Sequence, residues 1–376
     1  MKTKISLIIS LLCLVILFPA NAQENEIPKL DNPISVQYLK KNLLKSQPRL
    51  VLNSTIEKGL KKKLQTDAVT QNLYKVILAN SVEIQKEPLL ERKLEGRRLL
   101  GVSREMLYRI NILGMVYRIE KDPKILARIN DEVLAVCNFS DWNPSHYLDV
   151  AEMSMAVAFA LDWTAGKLPK STIELAKTAL IEKGIKPSWP ENGTQPGWAY
   201  GHNNWNQVCN GGMIAASMAI AEKDPELAAK TISRALDGMT SALIQYSPDG
   251  VYPEGSTYWG YGTSFSVVTS AMLESAFGTD FGIADYPAFK KSAVYRYLMN
   301  TPSGWYFNFA DCGDKRSESG DVILAWFATK TGNKEFLEKE RFLSPANNDD
   351  ELSRLAGAGL VWVSQFEKKA DVKMPT

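Results

Sequence analysis

From Ser54 onward, apolar side chains recur at helical spacing almost to the end of the chain, and no long alternating strand pattern interrupts them. The pattern predicts an all-α fold. Capping-box spacing at Ser54 with Glu57 and at Ser171 with Glu174 marks expected helix starts, as does Ser103 ahead of a further apolar-periodic run. The predicted helices are of two alternating kinds. Residues 123–136, 171–183, 225–240, 286–298 and 333–341 are charged and amphipathic, as helices with one face in water are. Between them, residues 149–161, 206–221, 263–276 and 320–329 carry few charges and many small side chains, as in Gly211-Gly212-Met213-Ile214-Ala215-Ala216. A helix that is apolar nearly all round has to be covered on every side. The alternation therefore predicts an incomplete (α/α) toroid, an inner ring of helices wrapped by an outer one, over residues 51–376. No self-similar period of the kind a repeat array shows is present.

The connections are asymmetric. Segments from a buried helix to the next charged one are short, such as Glu222-Lys223-Asp224 and Thr331-Gly332-Asn333, whereas residues 139–148, 184–205, 244–262 and 299–319 are long and aromatic. Antiparallel helix pairs put these long loops at one end of the molecule. Long ordered loops in a compact domain usually carry function. These hold both histidines of the chain, His146 and His202, together with Trp142, Trp189, Trp198, Trp205, Trp259 and Trp305.

The N-terminus reads differently. Lys2 and Lys4 precede the apolar run Ile5 to Phe18 and the small-residue triplet Ala20-Asn21-Ala22, the pattern of a secretory signal peptide cut after Ala22. Leu12 before Cys13 argues against a lipoprotein signal. Residues 23–50, with Pro28, Pro33 and Pro48, are expected to wrap onto the domain as a leader. The expected location is periplasmic or secreted. Lys and Arg total 44 against 42 Asp and Glu, and losing the signal peptide removes Lys2 and Lys4 but no acid. The neutral remainder lacks the basic excess of a nucleic-acid binder, and Lys61-Lys62-Lys63 reads as a solvated helix face. Cys137, Cys209 and Cys312 are odd in number and widely spaced, which speaks against a disulfide framework or a cysteine zinc site. Asn53, Asn138 and Asn192 open N-x-S/T sequons.

Two segments concentrate chemistry. Residues 198–206, WAYGHNNWN, put an imidazole, amides and aromatic rings just before a buried helix; residues 249–261, DGVYPEGSTYWGY, put carboxylates, tyrosines and a tryptophan at the equivalent place one hairpin later. Hydrogen-bonding groups beside flat apolar faces are what holding a sugar ring requires. The alternative is that the aromatics pack the loops onto the domain and the amides cap helix ends. Candidate sugar-binding residues are Trp198, Tyr200, Asn203, Trp205, Glu254, Trp259, Tyr261 and His146. On the last long loop Arg316, beside Lys315, is a candidate cation for an acidic ligand, or else an ion-pair partner of Asp311 and Asp314.

The strings SHYLDVAEM, HNNWNQVCNGGM and PDGVYPEGSTYWGYG resemble stretches of the toroid domain of heparinase II/III-type polysaccharide lyases, and the resemblance covers most of residues 50–340. It implies cleavage of a uronate-containing glycan by β-elimination. An Asn of the first motif would neutralise the uronate carboxylate, falling on Asn203 or Asn204, and a Tyr of the later loop would transfer the proton, falling on Tyr258. His202 lies where an additional His acts in some relatives, although related alginate lyases place His directly after the Asn, where this chain has Trp205. Elimination starts with loss of a weakly acidic C5 proton, so an amide donor such as Asn204 would stabilise the developing enolate, with Tyr258 or His202 taking the proton. No redox cofactor or metal is needed, so no cofactor is expected. Family members usually continue into a C-terminal β-sandwich that adds a His to the cleft. This sequence, to Thr376, shows no such segment, which leaves three expectations: a fragment, a β-sandwich domain on a separate chain, or a toroid of reduced function; the other expected partner is an acidic poly- or oligosaccharide, with no nucleic acid and no membrane. Two other functions fit the residues: a non-catalytic glycan-binding domain, and a glycoside hydrolase using Glu254 with Asp249 or Asp311.

Overall fold

The computed structural model describes residues 27–299, 305–314, 322–337 and 352–366. Among them the chain is all-helical, and β-structure is limited to isolated bridges such as Glu95 to Arg98. The leader contains α1 (Val36–Asn42), followed by α2 (Ser54–Thr66), α3 (Ala68–Ile84), α4 (Leu100–Glu120), α5 (Pro123–Cys137), α6 (Tyr147–Thr164) and α7 (Lys170–Ala179). Beyond a turn-rich stretch come α8 (Asn204–Ile220), α9 (Pro225–Leu243), α10 (Gly255–Phe277), α11 (Ser292–Leu298), α12 (Val322–Thr331) and α13 (Ala356–Gln365).

Helices α5, α7 and α9 are amphipathic and begin or end near the short connections, as their charge pattern requires. The apolar helices are covered on all sides: every residue of α6 is buried, and nearly every one of α8 and α13. Helix α4 packs on α6, α6 on α8, α8 on α10, α10 on α12, α12 on α13, and α13 returns to α4. Small residues allow these approaches. A Cβ added to Gly357 of α13 would lie 2.9 Å from the Asn111 carbonyl carbon of α4 and closer still to its oxygen. The described part of the segment before α2 lies against later helices: Asp31 N–H bonds to Phe281 O, Leu44 N–H bonds to Ala276 O, and Asn32 reaches Ser233 and Asp237 of α9. No helix among the described residues is long and apolar enough to cross a membrane.

Several local expectations are corrected. Asn53, not Ser54, caps α2, its Oδ1 accepting from Thr55 N and Ile56 N, because Glu57 is drawn instead to Arg118 and Lys61. Pro169 precedes α7, and Glu174 pairs with Lys223 rather than closing a capping box on Ser171. Ser103 is buried inside α4. Of the helix expected over 286–298 only α11 forms. Asp280 accepts from Gly282 N and Ala284 N, offering the backbone a turn instead, and Pro287 disfavours helical geometry at Tyr286. Helix α13 answers to the apolar run Leu360–Val363, too short by itself to be told from a strand.

Polar groups pin the buried helices. Asp162, fully buried near the end of α6, accepts from Arg49 N at 2.9 Å and Leu50 N at 2.8 Å, tying the leader to the core. Burial pushes its pKa up to about 6, only partly offset by those two N–H groups. A folded pKa above the unfolded value of about 3.9 means a contribution to stability that is fully present below that value and lost as pH rises through about 6. Urea unfolding at a series of pH values should therefore show the wild type losing stability relative to Asp162→Asn between about pH 4 and pH 6. Parallel profiles would contradict the buried carboxyl. Gly357→Ala should cost about 1–3 kcal/mol of overpacking at the α13–α4 contact, read as a lower urea midpoint.

Candidate functional site

The long loops meet because the buried helices all start at one end. His146, at the N-cap position of α6, sets its ring edge-on to Trp205 of α8, with centroids 4.8 Å apart. Asn204, the first residue of α8, donates from Nδ2 to Glu254 Oε2 at 3.1 Å, joining the starts of α8 and α10. Gly255 opens α10 at φ +83°, and a side chain there would meet the Cys312 Cβ at 2.5 Å. Gly313 N–H donates to Thr257 Oγ1 at 3.0 Å, which brings in the described part of the last long loop.

Helical spacing then orders α10. Glu254, Tyr258 and Tyr261 stand at i, i+4 and i+7 and share one face. The first is tied to Asn204, and the third donates its hydroxyl to Glu152 Oε1 of α6 at 2.8 Å. Tyr258 lies between them on that face, half-buried, and its hydroxyl has no hydrogen-bond partner among the described residues. Behind Glu254, Tyr252 OH donates to Gln207 Oε1 at 3.2 Å, and Gln207 Nε2 donates to Tyr246 OH at 2.8 Å and Ser266 Oγ at 3.0 Å. Burial drives the Tyr246, Tyr252 and Tyr261 hydroxyls well above the ordinary tyrosine range, so at neutral pH they are donors and not bases.

Glu152 is the polar centre of this face. It is fully buried on α6, and Arg104 of α4 donates from Nε to its Oε1 at 3.2 Å. Arg354, just before α13, brings its Nε to 2.7 Å from Oε2, off the hydrogen-bonding direction, so that contact is Coulombic. Both guanidinium groups lie over the Tyr261 ring, 4.9 Å and 5.2 Å from its centroid. Burial opposes Arg104's charge, but Glu152 and Tyr261 outweigh it and hold its pKa above the usual guanidinium value.

The two histidines have different settings. His202 is exposed, and its Nδ1 is 3.1 Å from the Ser241 carbonyl in the last turn of α9, so that nitrogen carries the proton. Among the described residues no hydrogen bond joins it to Tyr258 or Asn204. His146 is the better oriented imidazole. Its Nδ1 is 2.6 Å from Asp149 Oδ1, and Asp149 is itself held by Leu99 N at 2.6 Å and Asn143 Nδ2 at 2.7 Å. Asn203 caps α8 by accepting from Trp205 N.

The aromatic candidates divide. Tyr200 is exposed, and Trp205 is half-buried beside His146. Trp198 stacks on Tyr147 at 4.7 Å, with Arg234 5.5 Å from its centroid, so its ring is engaged internally. Trp259 is corrected: it has no exposed surface, stacks on Phe327 of α12 and cannot meet a sugar. One residue past Tyr258, it is turned about 100° round the helix, away from the shared face. Tyr261 serves as a clamp on Glu152 rather than an open platform. Arg316 lies outside the described residues. Sequence reasoning missed Arg104, Glu152, Arg354 and the Asp149 contact. The available signal was Asp149 and Glu152 themselves, carboxylates inside an otherwise apolar helix that must find partners from other elements.

Neither a scan against protein-family profiles nor a search of curated proteins returns a match for this chain.

The burial contrast on this face is directly measurable. Trp259→Ala should cost about 3–5 kcal/mol in urea unfolding. Tyr200→Ala should stay within about 0.5 kcal/mol. Similar costs for the two would contradict the separation of core from face.

Proposed function

We propose that this chain is an (α/α) toroid that cleaves uronate-containing glycans by β-elimination, acting as a polysaccharide lyase in the periplasm or outside the cell. The cyclic packing order, with α13 returning to α4, supports the toroid. The signal-like residues 1–22, which lie outside the described residues, support export.

The observation that carries the activity is the α10 stripe, in which Tyr258 presents a hydroxyl without a partner between two fixed polar contacts, Glu254 with Asn204 and Tyr261 with Glu152. Asn204 Nδ2 bears two hydrogens. Glu254 takes one and orients the amide, which leaves the other for the uronate carboxylate, whose neutralisation makes the C5 proton removable. Tyr258 then takes that proton and returns one to the leaving O4, while the C4–O4 electron pair departs with the leaving oxygen and a C4–C5 double bond forms. Arg104 and Arg354, packed on the Tyr261 ring one turn along α10, add positive charge to the face that receives the acidic glycan. The N-termini of α6, α8 and α10 open on the same face, and their dipoles favour an anion there. Proton transfer is given to Tyr258 rather than to His202, which is held against α9.

Tyr258→Phe removes one hydroxyl and keeps the ring. Turnover of a uronate glycan, followed by the ultraviolet absorbance of the new conjugated double bond, should fall by at least about 10². Affinity and melting temperature should change little. An active wild type whose turnover is unaffected would remove Tyr258 from the mechanism. Glycan binding with no absorbance change in the wild type would favour a non-catalytic binding domain.

A further inference from the structure

Resting on the acidic-glycan assignment, we propose that Arg104 and Arg354 form a subsite for one oxyanion of the ligand, a carboxylate or a sulfate ester, beside Tyr261. Two cations face a single buried carboxylate here. Glu152 engages the Nε side of both guanidinium groups, at 3.2 Å and 2.7 Å. Arg104 also interacts with the Tyr261 hydroxyl, and the terminal Nη groups of Arg354 have no hydrogen-bond partner among the described residues. Their side chains remain 42% and 26% exposed, whereas Glu152 is not exposed at all. Both arginine side chains are therefore partly open to solvent while the anchoring carboxylate is not.

A purely structural pair would need only one of these arginines, since Tyr261 already donates to Glu152. The second leaves the cluster with a surplus positive charge. Both side chains are held before a ligand arrives: each guanidinium lies over the Tyr261 ring, and Arg354 is also 5.9 Å from the Phe265 centroid. Planar forks fixed in this way match a carboxylate or sulfate through paired N–H bonds at a reduced ordering cost. The subsite draws on three helices and the segment before α13, so it exists only in the folded chain.

The test uses the full chain with inorganic sulfate and D-glucuronate as probes, and chloride at matched ionic strength and D-glucose as controls. The readout is the concentration dependence of the melting temperature. Wild type should respond saturably to sulfate and glucuronate and not to the controls. Arg104→Gln and Arg354→Gln each leave one arginine on Glu152, and each should raise the half-saturating concentration by at least about tenfold. Arg354→Lys keeps the charge beside Glu152 but loses the fork. It should also weaken sulfate binding while melting close to wild type without ligand, a result that a merely structural arginine would not produce. No saturable response in the wild type, or unchanged half-saturation in all three variants, overturns the subsite. Saturable glucuronate binding by a protein that leaves uronate glycans uncut keeps the subsite and sinks the lyase assignment; cleavage without any anion response does the reverse.

Discussion

Burial of α6 on every side is the constraint on which the rest depends. No residue from Tyr147 to Thr164 reaches solvent appreciably, yet the helix carries Asp149, Glu152 and Asp162. A carboxylate taken out of water is costly unless other groups meet it. Each of the three therefore dictates a neighbour. Asp149 meets His146, Asn143 and the Leu99 N–H; Glu152 meets Arg104, Arg354 and Tyr261; Asp162 meets the N–H groups of Arg49 and Leu50. Through these contacts one helix positions α4, α10, the leader and the segment before α13.

The two ends of α6 use the same device differently. At Asp162 the partners are backbone N–H groups of a buried segment, with no open space for a ligand. At Asp149 and Glu152 the partners include the side chains of His146, Arg104 and Arg354, which are partly open to solvent. Backbone partners fix a chain path, whereas long side chains held at one end can present the other end to something arriving from solution.

The amides and tyrosines at the starts of α8 and α10 form layers. Gln207, Tyr246, Tyr252 and Ser266 are fully buried and satisfy one another, and they hold Glu254 from behind. Their hydroxyls stay protonated because burial penalises the phenolate. In front of them Tyr258 is left without a partner among the described residues.

Much of this was legible in the sequence. Helical periodicity, the alternation of amphipathic and all-apolar segments, and the unequal connection lengths determined the helix order and the end at which the loops gather, because each is a local property of consecutive residues. The later of the two aromatic segments offered Glu254 as a local carboxylate, while Asn204 and Tyr258 were singled out by the resemblance of the two motif strings. What the tertiary structure alone decided is which distant residues meet. Arg104, Glu152 and Tyr261 lie far apart in sequence, and Arg354 comes later still, just before α13, so nothing local says that they meet. Their assembly follows from which faces of α4, α6 and α10 turn toward one another, as does the loss of Trp259 to the core while Tyr258, one position earlier, stays on the open face. The periodicity shows that a helix has a buried side, but only the packed neighbours determine how much of its circumference that side occupies.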